Sequence, residues 1–141
     1  TVSWKPAGYN TLNAGCNVKG AGDAIAWYAK VCGAKERMRM PGPGGLIMHA
    51  EIELGDSVFM LSDANTAPVQ NAAMMMYVED VDAAFAKAVE NGATVKMPVA
   101  DMFWGDRYGQ VRDPFGHLWS LGQPVRERLL GVYRDLLAAA G

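Results

Sequence analysis

His49 and Glu51 stand two residues apart in a stretch, residues 46–54, that alternates in character. In a strand, alternation places two sets of side chains on opposite faces: Leu46, Met48, Ala50, Ile52 and Leu54 on one, and His49, Glu51 and Glu53 on the other. An imidazole and a carboxylate on one face can anchor a ligand or act as a general acid and base. The alternative is a surface pair bonded to its neighbours or to solvent.

Gly55-Asp56 follows this stretch and predicts a two-residue hairpin turn. Such a turn defines a register, which pairs Leu54 with Ser57, Ile52 with Phe59, Glu51 with Met60 and His49 with Ser62. Because the apolar face should carry the helices, Glu51 and Met60 are expected side by side on the other face.

Length, composition and charge limit the kinds of protein that this chain can be. The chain has 141 residues, half of them apolar, which suits one globular domain. Its net charge of -2 gives no electrostatic reason to expect nucleic acid as a partner. No membrane-spanning run and no leader are recognisable, so we expect no membrane association and a cytoplasmic location. Cys16 and Cys32 lack the spacing of a redox or metal motif and are interpreted as buried thiols.

The sequence repeats at an offset of 59 to 60 residues. Asp23-Ala24 leads to Gly33-Ala34 as Asp82-Ala83 leads to Gly92-Ala93, and the glycines suit left-handed C-terminal caps. Both segments carry apolar stripes with helical spacing: Ala24, Trp27, Tyr28 and Val31 in one, and Val81, Ala84, Phe85, Ala88 and Val89 in the other. Later, SVFML after Gly55-Asp56 recurs as HLWSL after the turn DPFG. One structural unit is therefore used twice.

The remaining pattern predicts strands. They fall at about 10–18, 35–40, 45–54, 57–62, 72–78, 94–98, 107–112 and 117–122. The fold class is therefore α+β, with a βαβββ module over about 9–63 and a second over about 71–122 in a single domain. Neither module alone closes its sheet edges, so we expect the modules to pair, within one chain or between the chains of a homodimer.

A last helix is predicted over about 124–139. Pro124 suits a first helical position. One face of the helix would be apolar, with Val125, Leu129, Tyr133, Leu136 and Leu137. This face would dock on the chain's own body or on a dimer partner.

The duplicated module resembles the vicinal oxygen chelate superfamily, which includes glyoxalase I, extradiol dioxygenases, fosfomycin-modifying enzymes and bleomycin resistance proteins. The resemblance covers about residues 10–122 and is closest to the branch from phosphonate-utilisation operons. It rests on AIAWYAKVCGAKERMRMPGPGG, IMHAEIELGDSVFMLSD and WGDRYGQVRDPFGHLWSL. The resemblance implies concave mixed sheets that form a cavity.

In metal-dependent members, four side chains facing the cavity hold a divalent ion. The corresponding positions here are near Asn13, at Met60, near Ala73 and at Ser120. None is a histidine or a carboxylate, which such ions require. We therefore expect no metal or other cofactor, although a relocated metal site at His49 and Glu51 is an alternative.

The resemblance also places methionine and aromatic side chains toward the cavity. Alternation directs Met75 and Tyr77 there, and with Met60 they would form a soft wall or, alternatively, fill the core. Residues 102–108 would cover one cavity mouth, where Phe103, Trp104 and Tyr108 could stack on a flat ligand while Asp106 and Arg107 supply charge. Alternatively, Arg107 pairs with an acid and the aromatics plug the sheet end. His117 is expected in a supporting or core role.

Three functions remain open at this point. The first is a metal-free protein that sequesters an apolar or aromatic antibiotic or metabolite, with His49, Glu51, Met60, Met75, Tyr77, Phe103, Trp104, Arg107, Tyr108 and Ser120 as ligand-binding residues. Its mild acidity does not favour bleomycin itself. The second is a divalent-metal-dependent lyase, isomerase or dioxygenase with a relocated metal site. The third is a structural or regulatory dimer without a specific ligand.

Overall fold

The computed structural model describes residues 3–64, 69, 72–126 and 138–140. The chain divides into two compact units, Thr1–Ala72 (unit 1) and Ala73–Gly141 (unit 2). Each unit contains a strand, a helix and three further strands in that order, which confirms the predicted repeat and the α+β class. In the described part of the chain, no helix has the length and apolar composition of a membrane span.

Unit 1 is one four-stranded mixed sheet with one long helix. Its elements are β1 (Ala14–Val18), α1 (Ala21–Cys32), β2 (Lys35–Pro41), β3 (Ile47–Leu54) and β4 (Ser57–Asp63). The strand order is β1-β4-β3-β2. β1 runs parallel to β4, and the other pairs are antiparallel.

Unit 2 repeats this topology about 60 residues later. Its elements are β5 (Ala73–Tyr77), α2 (Val81–Glu90), β6 (Thr94–Asp101), β7 (Asp106–Arg112) and β8 (Leu118–Pro124). The strand order is β5-β8-β7-β6, again with one parallel pair. All eight predicted strands and both repeated helices are therefore present, with differences at their ends.

Specific local contacts and glycine caps define the ends of both helices. Gly33 has a φ of 71° as the left-handed cap of α1, and Gly92 has a φ of 100° just after α2, as predicted. The Asp80 carboxylate accepts a hydrogen bond from the Ala83 N–H and caps the start of α2. At the start of α1, the Asp63 carboxylate accepts from the backbone N–H groups of Gly20, Ala21 and Ile47, which ties the helix to β3.

One face of each sheet is covered by its helix. In unit 1 the rings of Tyr28 in α1 and Phe59 in β4 meet edge to face at 5.7 Å. In unit 2 α2 lies against β7, where a side chain at Gly109 would contact Phe85. We call the opposite side of each sheet the helix-free face, with reference to α1 and α2 in the described part of the chain. Directly paired residues of neighbouring strands share a face, so the strand register assigns each side chain to one side.

The β3–β4 hairpin has the predicted register for Leu54–Ser57, Ile52–Phe59 and Glu51–Met60. The pairing of β3 with β4 ends at Ala50–Leu61 and does not include the predicted His49–Ser62 pair.

The predicted position of Met48 is wrong. A register shift between Met40 and Pro41 moves the β2 partner from His49 to Ile47, which interrupts the alternation. Ile47 takes the buried place near Gly22 of α1, whereas Met48 is 58% exposed.

The DPFG turn before β8 is fixed by a buried carboxylate. Asp113 accepts hydrogen bonds from the backbone N–H groups of Phe115 and His117 and from the indole N–H of Trp119. His117 is fully buried, as expected for a core role.

The structure differs from the expectation for the two cysteines and for Pro124, and part of the predicted last helix lies outside the described residues. Cys16 and Cys32 are half-buried rather than buried, because they lie at a sheet edge and at the end of a helix. Pro124 ends β8, where it pairs with Asp106, and does not start a helix. Residues 127–137 of the predicted last helix lie outside the described residues, and residues 138–140 are helical.

Two glycines give a paired test of this packing. An added Cβ at Gly109 would lie 2.9 Å from Val99, 3.1 Å from the Met97 carbonyl oxygen and 3.2 Å from Phe85. Gly109→Ala is therefore expected to lower the free energy of unfolding by about 1–3 kcal/mol. Gly22→Ala, whose Cβ would have no contact closer than 3.7 Å, should cause no loss because alanine favours a helix. Urea unfolding measures both, and equal losses would contradict the packing described for β7.

Candidate functional site

The helix-free face of unit 1 carries a buried carboxylate between methionines. Glu51 in β3 pairs with Met60 of β4 on one side and with Met38 of β2 on the other. His49, two residues before Glu51, pairs with Met40. The side chains of His49, Glu51 and Met60 are therefore on one face, as predicted, and Glu51 is only 6% exposed.

Both carboxylate oxygens of Glu51 have partners. His49 Nε2 lies 2.9 Å from Oε2, and the Tyr9 hydroxyl donates a hydrogen bond to Oε1. The Tyr9 hydrogen bond is the largest influence that lowers the pKa of Glu51, and the His49 hydrogen bond adds to it against the opposing effect of burial. Glu51 is therefore held as a carboxylate, and the same hydrogen bond raises the pKa of Tyr9 in return.

Tyr9 is a site residue that the sequence analysis missed. It precedes β1 and is held in place by Arg37, whose guanidinium lies 4.4 Å from the centre of the Tyr9 ring and donates to the Gly8 carbonyl at 2.7 Å. Tyr9 precedes the first predicted strand, so no sequence pattern indicated that its hydroxyl reaches Glu51.

The helix-free face of unit 2 carries a second, uncharged polar cluster. Ser120 of β8 pairs with Met75 of β5 and with Gln110 of β7. The Tyr108 hydroxyl donates to Ser120 Oγ at 2.8 Å. Gln110 Nε2 lies 3.0 Å from the Tyr108 oxygen and 3.1 Å from Ser120 Oγ. Tyr77 pairs with Gly122 in the next row of the same face.

Gln110 is the second residue that the sequence analysis missed, and here a signal existed. Gln110 follows Glu51 by 59 residues, and Tyr108 follows His49 by the same number. The repeat therefore places a hydrogen-bonded pair at equivalent positions of both units: His49 with Glu51, and Tyr108 with Gln110. Carrying the repeat offset through β3 would have identified Gln110.

Aromatic side chains extend this face toward the start of β7. The Phe103 and Trp104 rings meet edge to face at 5.1 Å, and the Trp104 and Tyr108 rings do so at 5.4 Å. The Trp104 indole donates to the buried Asp106 carboxylate at 3.1 Å. Trp104 is thereby fixed in orientation, while Phe103 remains 68% exposed.

Arg107 does not join these side chains. It alternates with Asp106 and Tyr108 and lies on the helix side of β7, where it forms a two-point ion pair with Asp82 of α2 at 2.8 and 2.9 Å. A second carboxylate, Asp101, lies 3.2 Å away. These hydrogen bonds raise the pKa of Arg107 and lower that of Asp82. The structure thus has the alternative arrangement, in which Arg107 pairs with acids.

A cavity of about 490 Å³ lies in unit 1 away from the predicted site residues. It is lined by residues at the start of α1, by Arg39 and by the segment before β3. The N-terminus of α1 could attract an anion, but Asp63 already accepts its Gly20 and Ala21 N–H groups. We therefore favour the helix-free sheet faces as the candidate site.

The residues that the resemblance places at or near the metal positions of metal-dependent members do not fit a transition metal. Asn13 uses its side chain to bond the Asn10 backbone, and Ser120 is held by Tyr108 and Gln110. Met60 and Ala73 offer a thioether and a methyl group. In the described ranges, no group of three or more His, Cys, Asp or Glu side chains is placed to hold an ion. This donor set lacks the imidazole and carboxylate groups that such ions bind.

The topology and sequence together identify the family. The chain belongs to the glyoxalase/bleomycin resistance protein/dioxygenase superfamily, whose family model matches residues 12–121. An uncharacterized protein of Mycobacterium bovis is 43% identical to it over 136 residues, which cover 88% of this chain and 90% of that protein.

Solved structures share the fold. TioX from Micromonospora sp. ML1 is 26% identical with a TM-score of 0.67, covering 81% of this chain and 95% of TioX. FosX, a fosfomycin resistance protein of Listeria monocytogenes solved with Mn(II) and sulfate, has a TM-score of 0.68 over 88% of this chain and 97% of its own. At 15% identity, the likeness to FosX concerns the fold alone.

The Glu51 cluster predicts a pH-dependent response to Tyr9→Phe. Loss of the hydroxyl should raise the pKa of Glu51 toward its ordinary value of 4.5, because its largest stabilising hydrogen bond is removed. A carboxyl group whose pKa is lower in the folded than in the unfolded protein stabilises the fold at pH values above its unfolded pKa. This stabilisation is lost as the pH falls through the folded pKa. Tyr9→Phe should therefore lower the free energy of unfolding at neutral pH and change it little in strong acid.

Carbon-13 NMR titration of the Glu51 carboxyl measures this shift. Asn10→Ala is the control, because it removes the neighbouring hydrogen bond to the Asp56 carbonyl and keeps the Tyr9 hydroxyl. A Glu51 pKa that is the same in wild type and Tyr9→Phe would show that the hydroxyl does not stabilise the carboxylate.

Proposed function

We propose that this protein binds and sequesters a small apolar or aromatic molecule, an antibiotic or a metabolite, through side chains and without a metal ion. The observation that carries the proposal is the helix-free face of unit 2. There Met75 and Tyr77 are 44% and 53% exposed beside the hydrogen-bonded Ser120 hydroxyl. Large exposed apolar side chains next to a few fixed polar groups are typical of ligand sites.

The polar cluster of unit 2 supplies a directional contact. Ser120 Oγ accepts hydrogen bonds from both Tyr108 and Gln110, so its own hydrogen is available to donate. A ligand carbonyl or ether oxygen could accept that hydrogen while its ring contacts Met75 and Tyr77. Thioether groups contact aromatic rings favourably, and Tyr77 adds a flat surface.

The arrangement of unit 1 supports binding over the metal-dependent lyase, isomerase or dioxygenase alternative. A histidine and a glutamate that hold one ion both direct lone pairs at the ion. His49 Nε2 instead contacts the Glu51 carboxylate at 2.9 Å, and Tyr9 occupies the other oxygen. The Nε2 atom of His49 and both oxygens of Glu51 therefore already have partners within the protein.

Ligand screening by thermal shift tests the proposal. A panel of planar aromatic antibiotics and metabolites is expected to contain a compound that raises the melting temperature. A ligand at 100 times its Kd adds about 2.7 kcal/mol to the stability of the folded state. Tyr77→Ala and Phe103→Ala should weaken its binding by about tenfold, equivalent to about 1.4 kcal/mol of lost ring contact.

Val89→Ala is the matched control, because Val89 is exposed on α2 and contributes nothing to the proposed site. No shift across a broad panel would favour the structural or regulatory dimer. If Val89→Ala and Tyr77→Ala weakened ligand binding equally, the ligand would not bind on the helix-free face of unit 2.

The homodimer expected from the sequence belongs to the same proposal. In the described sheets, β1 and β2 are the edges of unit 1, and β5 and β6 are those of unit 2. Such edges favour pairing with another strand or cover by another surface. Light scattering after size-exclusion chromatography is expected to give twice the 15.2 kDa chain mass. A monomer at every concentration tested would contradict this assembly.

A further inference from the structure

The Glu51 carboxylate determines which ring nitrogen of His49 carries the hydrogen. A carboxylate has no hydrogen to donate, so both of its partners must donate. The Tyr9 hydroxyl therefore gives its hydrogen to Oε1, and His49 Nε2 gives its hydrogen to Oε2 at 2.9 Å. Neutral imidazole has one N–H. In its neutral form, His49 is therefore the Nε2–H tautomer, and its Nδ1 has a lone pair.

His49 Nδ1 is accessible as a hydrogen-bond acceptor. The His49 side chain is 36% exposed, and among the described residues the imidazole has Glu51 as its only hydrogen-bond partner. An acceptor nitrogen whose opposite N–H is fixed by a carboxylate is the arrangement of a general base. When Nδ1 takes a proton, the imidazolium that forms is stabilised by the Glu51 charge beside it.

The surroundings indicate what kind of molecule would donate the proton. Met40 pairs with His49, and Met38 and Met60 flank Glu51. Thioether side chains favour an aromatic ring next to the polar pair. Among the described residues, the charges on this side are those of Glu51, of Arg37 beside the Tyr9 ring and of Glu53, which lies 3.6 Å from Arg37 and pairs with Lys35. The ionisable Tyr9 hydroxyl is committed to Glu51.

We propose that His49 and Glu51 form a general-base pair that binds the hydroxyl of a phenolic ligand and takes its proton. This inference rests on the proposed function and names the ligand class. The phenol O–H bond breaks, its electron pair stays on the oxygen as phenolate, and the proton bonds to His49 Nδ1. His49 contacts the ligand, and Glu51 acts as a positioning residue that holds the tautomer and stabilises the imidazolium.

Two probes test the pair: 4-nitrophenol, whose phenolate has a visible absorption band, and 4-nitroanisole, which lacks the acidic proton. In the wild type, bound 4-nitrophenol is expected to ionise at a pH about one unit lower than free probe, a tenfold change in the ionisation constant. His49→Gln and Glu51→Gln should abolish this shift. 4-Nitroanisole should bind the wild type without a change in its absorption band, and far-ultraviolet circular dichroism shows whether the two variants are folded.

The outcomes separate the two proposals. Binding of both probes with no shift in the ionisation of 4-nitrophenol, or with the same shift in His49→Gln, overturns the general-base pair and leaves the proposed function intact. Binding of neither probe contradicts the phenolic ligand class and counts against the proposed function. Nitrogen-15 NMR of His49 provides a test without ligand, because an Nδ1–H tautomer in the wild type at neutral pH would overturn the inference.

Discussion

In the described residues, each four-stranded sheet packs against one long helix, and that helix can bury only one of the two faces of its sheet. The apolar side chains that form the core therefore point to the helix side, as Ile52, Phe59 and Leu61 do in unit 1. Period-two alternation then leaves the other side for residues that do not have to form the core. All the candidate chemistry of the chain follows from this constraint, because it lies on those helix-free faces.

The repeat gives the two units the same scaffold with different chemistry. Glu51 and Gln110 occupy equivalent strand positions, as do His49 and Tyr108. In unit 1 the pair is a carboxylate and an imidazole, which offers a charged acceptor and a base. In unit 2 it is an amide and a phenol, which hold a serine hydroxyl as a neutral donor. The duplicated unit thus provides two faces that can recognise different groups.

Much of this was predictable from the sequence because it depends on local periodicity. The two helices, their glycine caps, the eight strands and the Glu51–Met60 pairing follow from apolar spacing and turn chemistry. Met48 was misplaced because a register shift in β2–β3 has no signature in alternation alone. Tyr9 could not be found, since its contact with Glu51 joins residues 42 positions apart and Tyr9 precedes the first predicted strand. The sequence alone did not decide which face of β7 carries the Arg107 side chain, because its partner Asp82 lies 25 residues away on α2.

The central claim is that side chains, and not a bound ion, perform recognition on these faces. Met60 and Ser120 stand at positions where metal-dependent relatives are expected to hold an ion, and His49 and Glu51 are bonded to each other. Elemental analysis of protein purified without chelators tests this claim most directly. The account predicts no transition metal at stoichiometric level in the wild type. A stoichiometric ion that is lost in Glu51→Ala would contradict it and restore the metal-dependent alternative.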